Sequence, residues 1–395
     1  MKSVSIVSIG YLTDQATASQ VVMCAFVKYY LSIGWNVDYF CLRTKQFALH
    51  SYKEYDFLEL SERLNIYDIE CNEIDLLTLS KRISSIYRLE YKLNPHINES
   101  VRNVVDSNFY DVSIFFESVA FSLHEIFKSH KKIFIPADPA CQRLFSSSAF
   151  FDLKLKLISL VVFFAESFYL RSFRNIATIS MFGRRHAQEL SFLLQKNVLC
   201  LRPVLPIENF DNTPRLLSAE TCIVFYFGGS LTGTASKSTI KFINNTILPS
   251  LEAFQKHQKA EVLFRIIGSS SSLFKSSLKS SPILKLVGWV QSFENEIAKG
   301  HVFIMISNYH VGVRTRIAAA LASGCACIVH PSIYVNMPEL RLCKSVFTAR
   351  NKCQLTQLLL EKFSSFNREY YQTESILFYQ KYFSYQTLSF LADLT

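Results

Sequence analysis

At 395 residues, with 49% hydrophobic and 19% charged side chains, the chain has a globular composition and the length for two ordinary domains with sizeable cores. Its formal net charge of +10 favours anionic partners: phosphorylated small molecules, acidic lipid surfaces or nucleic acid. Ten scattered cysteines with no C-x-x-C pair speak against a disulfide framework or a zinc site, and fit a reduced, cytoplasmic protein.

The predicted elements begin with a strand. VSIVSIG ends at Gly10, and the polar loop YLTDQATASQ follows; a chain opening this way is expected to lack a signal peptide. VVMCAFVKYYLSIG has helical length and stops at Gly34, and WNVDYFCL reads as a second strand. This βαβ start predicts a parallel sheet. Further strands are expected at DVSIFFES (111–118), KIFIPAD (132–138) and NIATIS (175–180), with helices filling the gaps. The apolar stretch 150–174 carries Lys154, Lys156, Arg171 and Arg174 near its ends. It reads either as a core helix with snorkelling flanks or as a surface that rests on a membrane. Its longest apolar run, LISLVVFFA, is too short to span a bilayer.

Residues 201–220 hold three prolines and read as a linker. A second α/β series follows: the strand TCIVFYFGG, the helix STIKFINNTILPSLEAFQKH, and the strands EVLFRIIG, LKLVGWV, HVFIMISN and CACIVHP. The serine-rich GSSSSLFKSSLKSS (268–281) reads as a surface loop. Eight of the eleven glycines fall between 228 and 324, mostly just past predicted strands. Open α/β sheets bind ligands at the carboxyl ends of their strands, where glycine lets backbone approach. The second half is therefore expected to hold the ligand.

Walker A, G-x-G-x-x-G, H-E-x-x-H, G-x-S-x-G and kinase signatures are all missing from the sequence, as are the common nucleic-acid modules. Two half-patterns remain. In FYFGGSL a strand meets Gly228 and Gly229, and a polar loop runs on to Lys237. In GVRTRI a helix is expected to begin near Val313, with Gly312 in the turn and Arg314, Thr315 and Arg316 at the start. A helix start points free N–H groups at whatever sits above it. Arginine there opposes the helix dipole, at roughly 0.3–1 kcal/mol each when exposed, and a bound anion reverses that sign. The planar guanidinium also matches phosphate geometry. A diphosphate site fits these residues; so does a solvated basic helix end, or a salt bridge to an acid elsewhere. The small residues from Ala318 to Gly324 let a helix pack close to a sheet. In the first half, Asp138 of IPADPACQR follows a strand end and is the candidate catalytic residue; an N-cap or turn aspartate before Pro139 fits equally. His310 is a loop histidine beside the second half-pattern, while His124 and His130 belong to no motif.

With these residues in view, the second half resembles the C-terminal domain of family 4 glycosyltransferases. FGGSL with STIKFINNTILPSLEAF is similar to that domain's first strand, turn and helix, and FRIIGS to its next strand. LVGWVQSFENEIAKGHVFIMISNYHVGVRTRIAAALASGCACIVHP resembles the segment through the donor site, and NMPEL (336–340) the loop beyond the next strand. GVRTRI is similar to the variant in members that build surface polysaccharides. In the first half, AESFYLRSFRNIATISMFGRRHAQEL (165–190) is similar to the family's helix, strand and serine before the linker, with Glu166 reading as a structural salt bridge.

The resemblance implies an α/β GT-B fold, two Rossmann-like domains facing each other across a cleft. Residues 1–205 would form the acceptor-side domain, 219–368 the donor-binding domain, and 369–395 a helix crossing back. It implies transfer of a sugar from a nucleotide-sugar donor to a glycan or lipid-linked acceptor, with retention, without metal or other cofactor, and without nucleic acid. The setting would be cytoplasmic, with peripheral contact at the inner face of the membrane. Gly228, Gly229, Lys237, His310, Gly312, Arg314, Thr315 and Arg316 would line the donor site, and Asp138 would serve catalysis. The sequence departs from the family pattern in three places. The glutamate of the donor helix falls at Ala319, the glutamate eight residues earlier at Val311, and the arginine after the first glycine at Gly229. These departures keep two alternatives in play: a non-catalytic subunit of the same shape, and a nucleotide-sugar epimerase.

Overall fold

The computed structural model describes residues 2–9, 18–43, 62–70, 99–116, 120–121, 123–136, 164, 171, 177–207, 222–228, 239–268, 276–290, 292–306 and 313–392. The chain divides into two compact units, Met1–Pro206 with Tyr385–Thr395, and Ile207–Ser384.

The first unit is built on a seven-stranded sheet: β1 (Ser3–Ile9), β2 (Asn36–Arg43), β3 (Leu64–Glu70), β4 (Tyr110–Phe116), β5 (Ser129–Ile135), β6 (Thr178–Phe182) and β7 (Leu199–Leu201). The order is β3-β2-β1-β4-β5-β6-β7 and each described pairing is parallel. Helix α1 (Ala18–Ser32) starts three residues before the expected VVM run, and it ends where Gly34 takes a φ of +81°. Helices α2 (Glu99–Ser107) and α3 (Arg184–Leu194) follow. Strands β3 and β7 correct the expectation that helices fill those gaps. β3 lies at the sheet edge, and its sequence LNIYDIE mixes polar and apolar residues as a strand paired on one side tolerates. The buried Asp38 carboxylate on β2 accepts from Tyr110 Oη on β4 (2.6 Å) and Asn65 Nδ2 on β3 (2.9 Å), so its burial is compensated. The C-terminal turn Tyr385–Leu388 packs on α1. Lys28 of that helix lies 5.5 Å from the Tyr385 ring centroid and donates to the Pro206 carbonyl at 3.0 Å.

The second unit holds six parallel strands: β8 (Cys222–Gly228), β9 (Glu261–Ile267), β10 (Leu284–Gly288), β11 (Val302–Met305), β12 (Ala326–Val329) and β13 (Val346–Thr348). Their order, β10-β9-β8-β11-β12-β13, is that of a doubly wound sheet whose direction reverses between β8 and β11. The helical stretch 239–255 contains a π turn at Ile243–Ile247 before continuing as α4 (Leu248–Gln255). Helices α5 (Phe293–Ala298), α6 (Thr315–Ala322), α7 (Lys352–Lys362) and α8 (Arg368–Tyr382) follow among the described residues.

Strand β8 is buried on both faces. Ile223, Phe225 and Phe227 join the apolar core with Leu251 and Phe254 of α4 and Leu355 and Leu359 of α7. Tyr226 and Gly228 face the other way, toward α5. The buried Ser375 hydroxyl of α8 donates to the Cys325 carbonyl (2.9 Å) and lies in hydrogen-bond contact with Ser345 Oγ (2.7 Å), fixing that helix beside α6. Among the described residues, no helix is long and apolar enough to cross a membrane.

Candidate functional site

The reversal of strand order between β8 and β11 opens the crevice where doubly wound sheets take their ligands. Two of the sequence-predicted elements end there. β8 closes on Gly228, and β11 ends at Met305, ten residues before α6 begins at Thr315. Helix α6 begins at Thr315, two residues later than expected, with Arg314 as its N-cap. No side chain caps it, and its first turn contains no acid. The Ile317 N–H turns back to the Arg314 carbonyl at 3.0 Å, and the N–H groups of Thr315 and Arg316 have no partner among the described residues.

Gly228 and Arg316 meet. Arg316 Nη1 donates to the Gly228 carbonyl at 3.1 Å, joining the two half-patterns across 88 residues of chain. Among the described residues no carboxylate pairs with this guanidinium. Burial first, and the charge of Arg314 second, push its pKa down to about 10. Arg316 is half-buried, and its described partner is a neutral carbonyl. Arg314 holds the helix entry through its backbone, donating its N–H to Met337 Sδ at 3.5 Å. Thr315 is half-buried in the first turn. The crevice thus presents positive charge, free backbone donors and a helix dipole of the same sign, a setting for an anion.

The small residues after Arg316 are buried without exception from Ile317 to Ala322. Alanine there lets α6 lie close to both the sheet and α8 at no cost in side-chain entropy. Ala319, where the resemblance expects a glutamate, is 3% exposed and sits a full turn inside the helix.

Asp138, Gly229, Lys237, His310 and Gly312 lie outside the described residues, as do Val311 and Glu166. Of the 150–174 stretch only positions 164 and 171 are described; Phe164 is 63% exposed, and Arg171 donates from Nε to the Leu193 carbonyl at 3.0 Å. His124 is structural: its ring stacks on Phe121, Nδ1 meets the Phe121 carbonyl at 2.9 Å, and burial lowers its pKa. No group of His, Cys, Asp and Glu among the described residues is placed to hold a metal ion.

One cluster was not legible in the sequence. Under α5, Glu296 accepts from Arg265 Nη2 (2.7 Å), Lys299 Nζ (2.8 Å) and Tyr226 Oη (3.2 Å). Burial, chiefly, raises the Tyr226 pKa above its ordinary value. The available signal was Arg265, a single charge inside the apolar body of EVLFRII.

No family model matches the sequence, and no curated protein matches it. Solved structures do match along nearly the whole chain. A mutant of S. aureus TarM in complex with fondaparinux, α-GlcNAc-glycerol and UDP is 10% identical, covering 98% of each chain with a TM-score of 0.63. The E. coli trehalose-6-phosphate structure bound with UDP-2-fluoro glucose is 9% identical, covering 100% of this chain and 99% of the other, TM-score 0.60. WaaG, a glycosyltransferase involved in lipopolysaccharide biosynthesis, is 10% identical over 99% of each chain, TM-score 0.59. At such identities the likeness establishes the fold: this is an α/β protein with the GT-B architecture of two Rossmann-like domains.

Proposed function

We propose that the chain is a glycosyltransferase of the family 4 type that takes a sugar from a nucleoside-diphosphate-sugar donor and passes it, with retention, to a glycan or lipid-linked acceptor in polysaccharide biosynthesis. The observation that carries this reading is the half-buried Arg316, without a described acid partner, held at the uncapped start of α6 against Gly228 at the switch point of the sheet. A departing diphosphate supplies the missing negative charge. Arg316, Arg314 and the N–H groups of α6 would stabilise that charge as it develops, the task a divalent metal performs elsewhere. The TarM and trehalose-6-phosphate structures hold UDP and a UDP-sugar, which supports a uridine nucleotide as the first donor to try. The net charge of +10 and the apolar, basic-flanked 150–174 stretch support peripheral contact with an anionic membrane from the cytoplasmic side.

The test is release of nucleoside diphosphate from a panel of UDP-, GDP- and ADP-sugars by the purified protein, with and without chelator. Turnover of one donor, unaffected by chelator, is expected. Failure to bind any nucleotide at millimolar donor would refute the reading.

A second reading rests on Ala319. With an alanine sealed where the family pattern has a glutamate, a subunit that binds a nucleotide or glycan without turnover also fits. Binding of a nucleoside diphosphate together with no transfer and no hydrolysis would favour it.

A further inference from the structure

Gly228 has no room for a side chain. A Cβ placed there would lie 2.3 Å from Phe293 Cε2 and 2.6 Å from Cζ. Phe293 is the first residue of α5, so the start of this helix lies across the end of β8. The helix is anchored twice. Ser292 caps it, its Oγ accepting from the Asn295 N–H at 3.1 Å. One turn further on, Glu296 ties it to Arg265 of β9 and to Tyr226 of β8, which sits two residues before Gly228 on the same face. Arg265 locks that arrangement, donating from Nη1 to Tyr226 Oη at 2.7 Å. A continuous set of contacts thus runs from a buried carboxylate through α5 to the Phe293 ring, from the ring to Gly228, and from the Gly228 carbonyl to Arg316.

We propose that Phe293 is a positioning residue for Arg316: its ring, held in place by the Glu296 cluster, fixes the Gly228 carbonyl, and the carbonyl aims the guanidinium at the anion site. The inference deepens the nucleoside-diphosphate reading and rests on it. Arginine carries substantial rotamer freedom, and a bond to an immobile carbonyl removes part of it before the ligand arrives. Glycine is the residue least able to hold its own backbone, so the ring performs that task from outside. Phe293 touches the strand, and its effect on the ligand passes through Arg316.

A double-mutant cycle tests this. The affinity for UDP is measured by phosphorus NMR titration, reaching millimolar ligand, for the wild type, Phe293→Leu, Arg316→Ala and the double variant, with urea midpoints recorded for each. Phe293→Leu is expected to weaken binding about five- to tenfold in the wild-type background, and less than about twofold when Arg316 is already Ala. Phe293→Tyr, which keeps the ring, is expected to restore binding to within about twofold. Equal losses in both backgrounds, or undiminished binding by Phe293→Leu, would overturn the positioning role while leaving the diphosphate reading intact. Undiminished binding by Arg316→Ala would overturn both.

Discussion

The Arg316 guanidinium stays charged at neutral pH, yet burial and the neighbouring Arg314 push its pKa down from the ordinary arginine range to about 10. A base whose folded pKa lies below its unfolded value subtracts stability wherever it is protonated. The deficit is therefore fully present below about pH 10 and fades only as pH rises through that value toward the ordinary arginine range. Replacing the side chain with an apolar one of similar length should relieve it. Arg316→Met is expected to raise the melting temperature of the ligand-free protein by about 2–4 °C, the equivalent of roughly 1 kcal/mol, and to diminish the shift caused by UDP. A lowered melting temperature would mean that the bond to the Gly228 carbonyl outweighs the burial of charge. Gly228→Ala drives a methyl into the Phe293 ring and should cost about 1–3 kcal/mol in urea unfolding. At this scale the sequence marks positions better than reasons. A glycine at a strand end was legible. The ring that forbids a side chain there was not, because Phe293 is remote in the chain and its direction depends on an acid with partners on two strands.

Among the elements, the strands announced by apolar runs are present in the expected order, since β8 and β11 are buried almost throughout and their composition says so. The elements that escaped are those with weak burial or little length. β3 is a half-exposed edge strand, while β7 and β13 have three residues each. The start of α6 was misplaced because Arg314 offers none of the usual capping chemistry; the helix begins where the chain turns onto the sheet, with Met337 receiving the Arg314 N–H. α5 is short, and its place depends on Glu296 rather than on helix propensity. Removing that carboxylate leaves Arg265 and Lys299 facing each other without a counter-charge. Glu296→Ala should destabilise the second unit by about 3–5 kcal/mol, read from the urea midpoint. A loss below about 1 kcal/mol would show that the cluster is solvated and does not anchor the helix.

For the whole molecule, the two α/β halves and the return of the C-terminal residues to the first unit describe a protein in which each unit has its own core among the described residues. Calorimetric unfolding should show two overlapping transitions. A nucleoside diphosphate should raise only the one belonging to Ile207–Ser384, since a ligand stabilises the unit that binds it. The architecture could be inferred from the alternation of apolar runs and glycine turns. The sugar and acceptor could not, because they are read by side chains on loops and not by the pattern that builds sheets. The central claim is that the crevice between β8 and β11 is a diphosphate site and that Arg316 is its principal cation. Isothermal titration of UDP, GDP, ADP and CMP into the wild type and Arg316→Ala tests it most directly. The account predicts that one nucleoside diphosphate binds in preference to CMP, and that the substitution weakens it about tenfold or more, the worth of a charge-assisted contact. Equal affinity in the two proteins would contradict it.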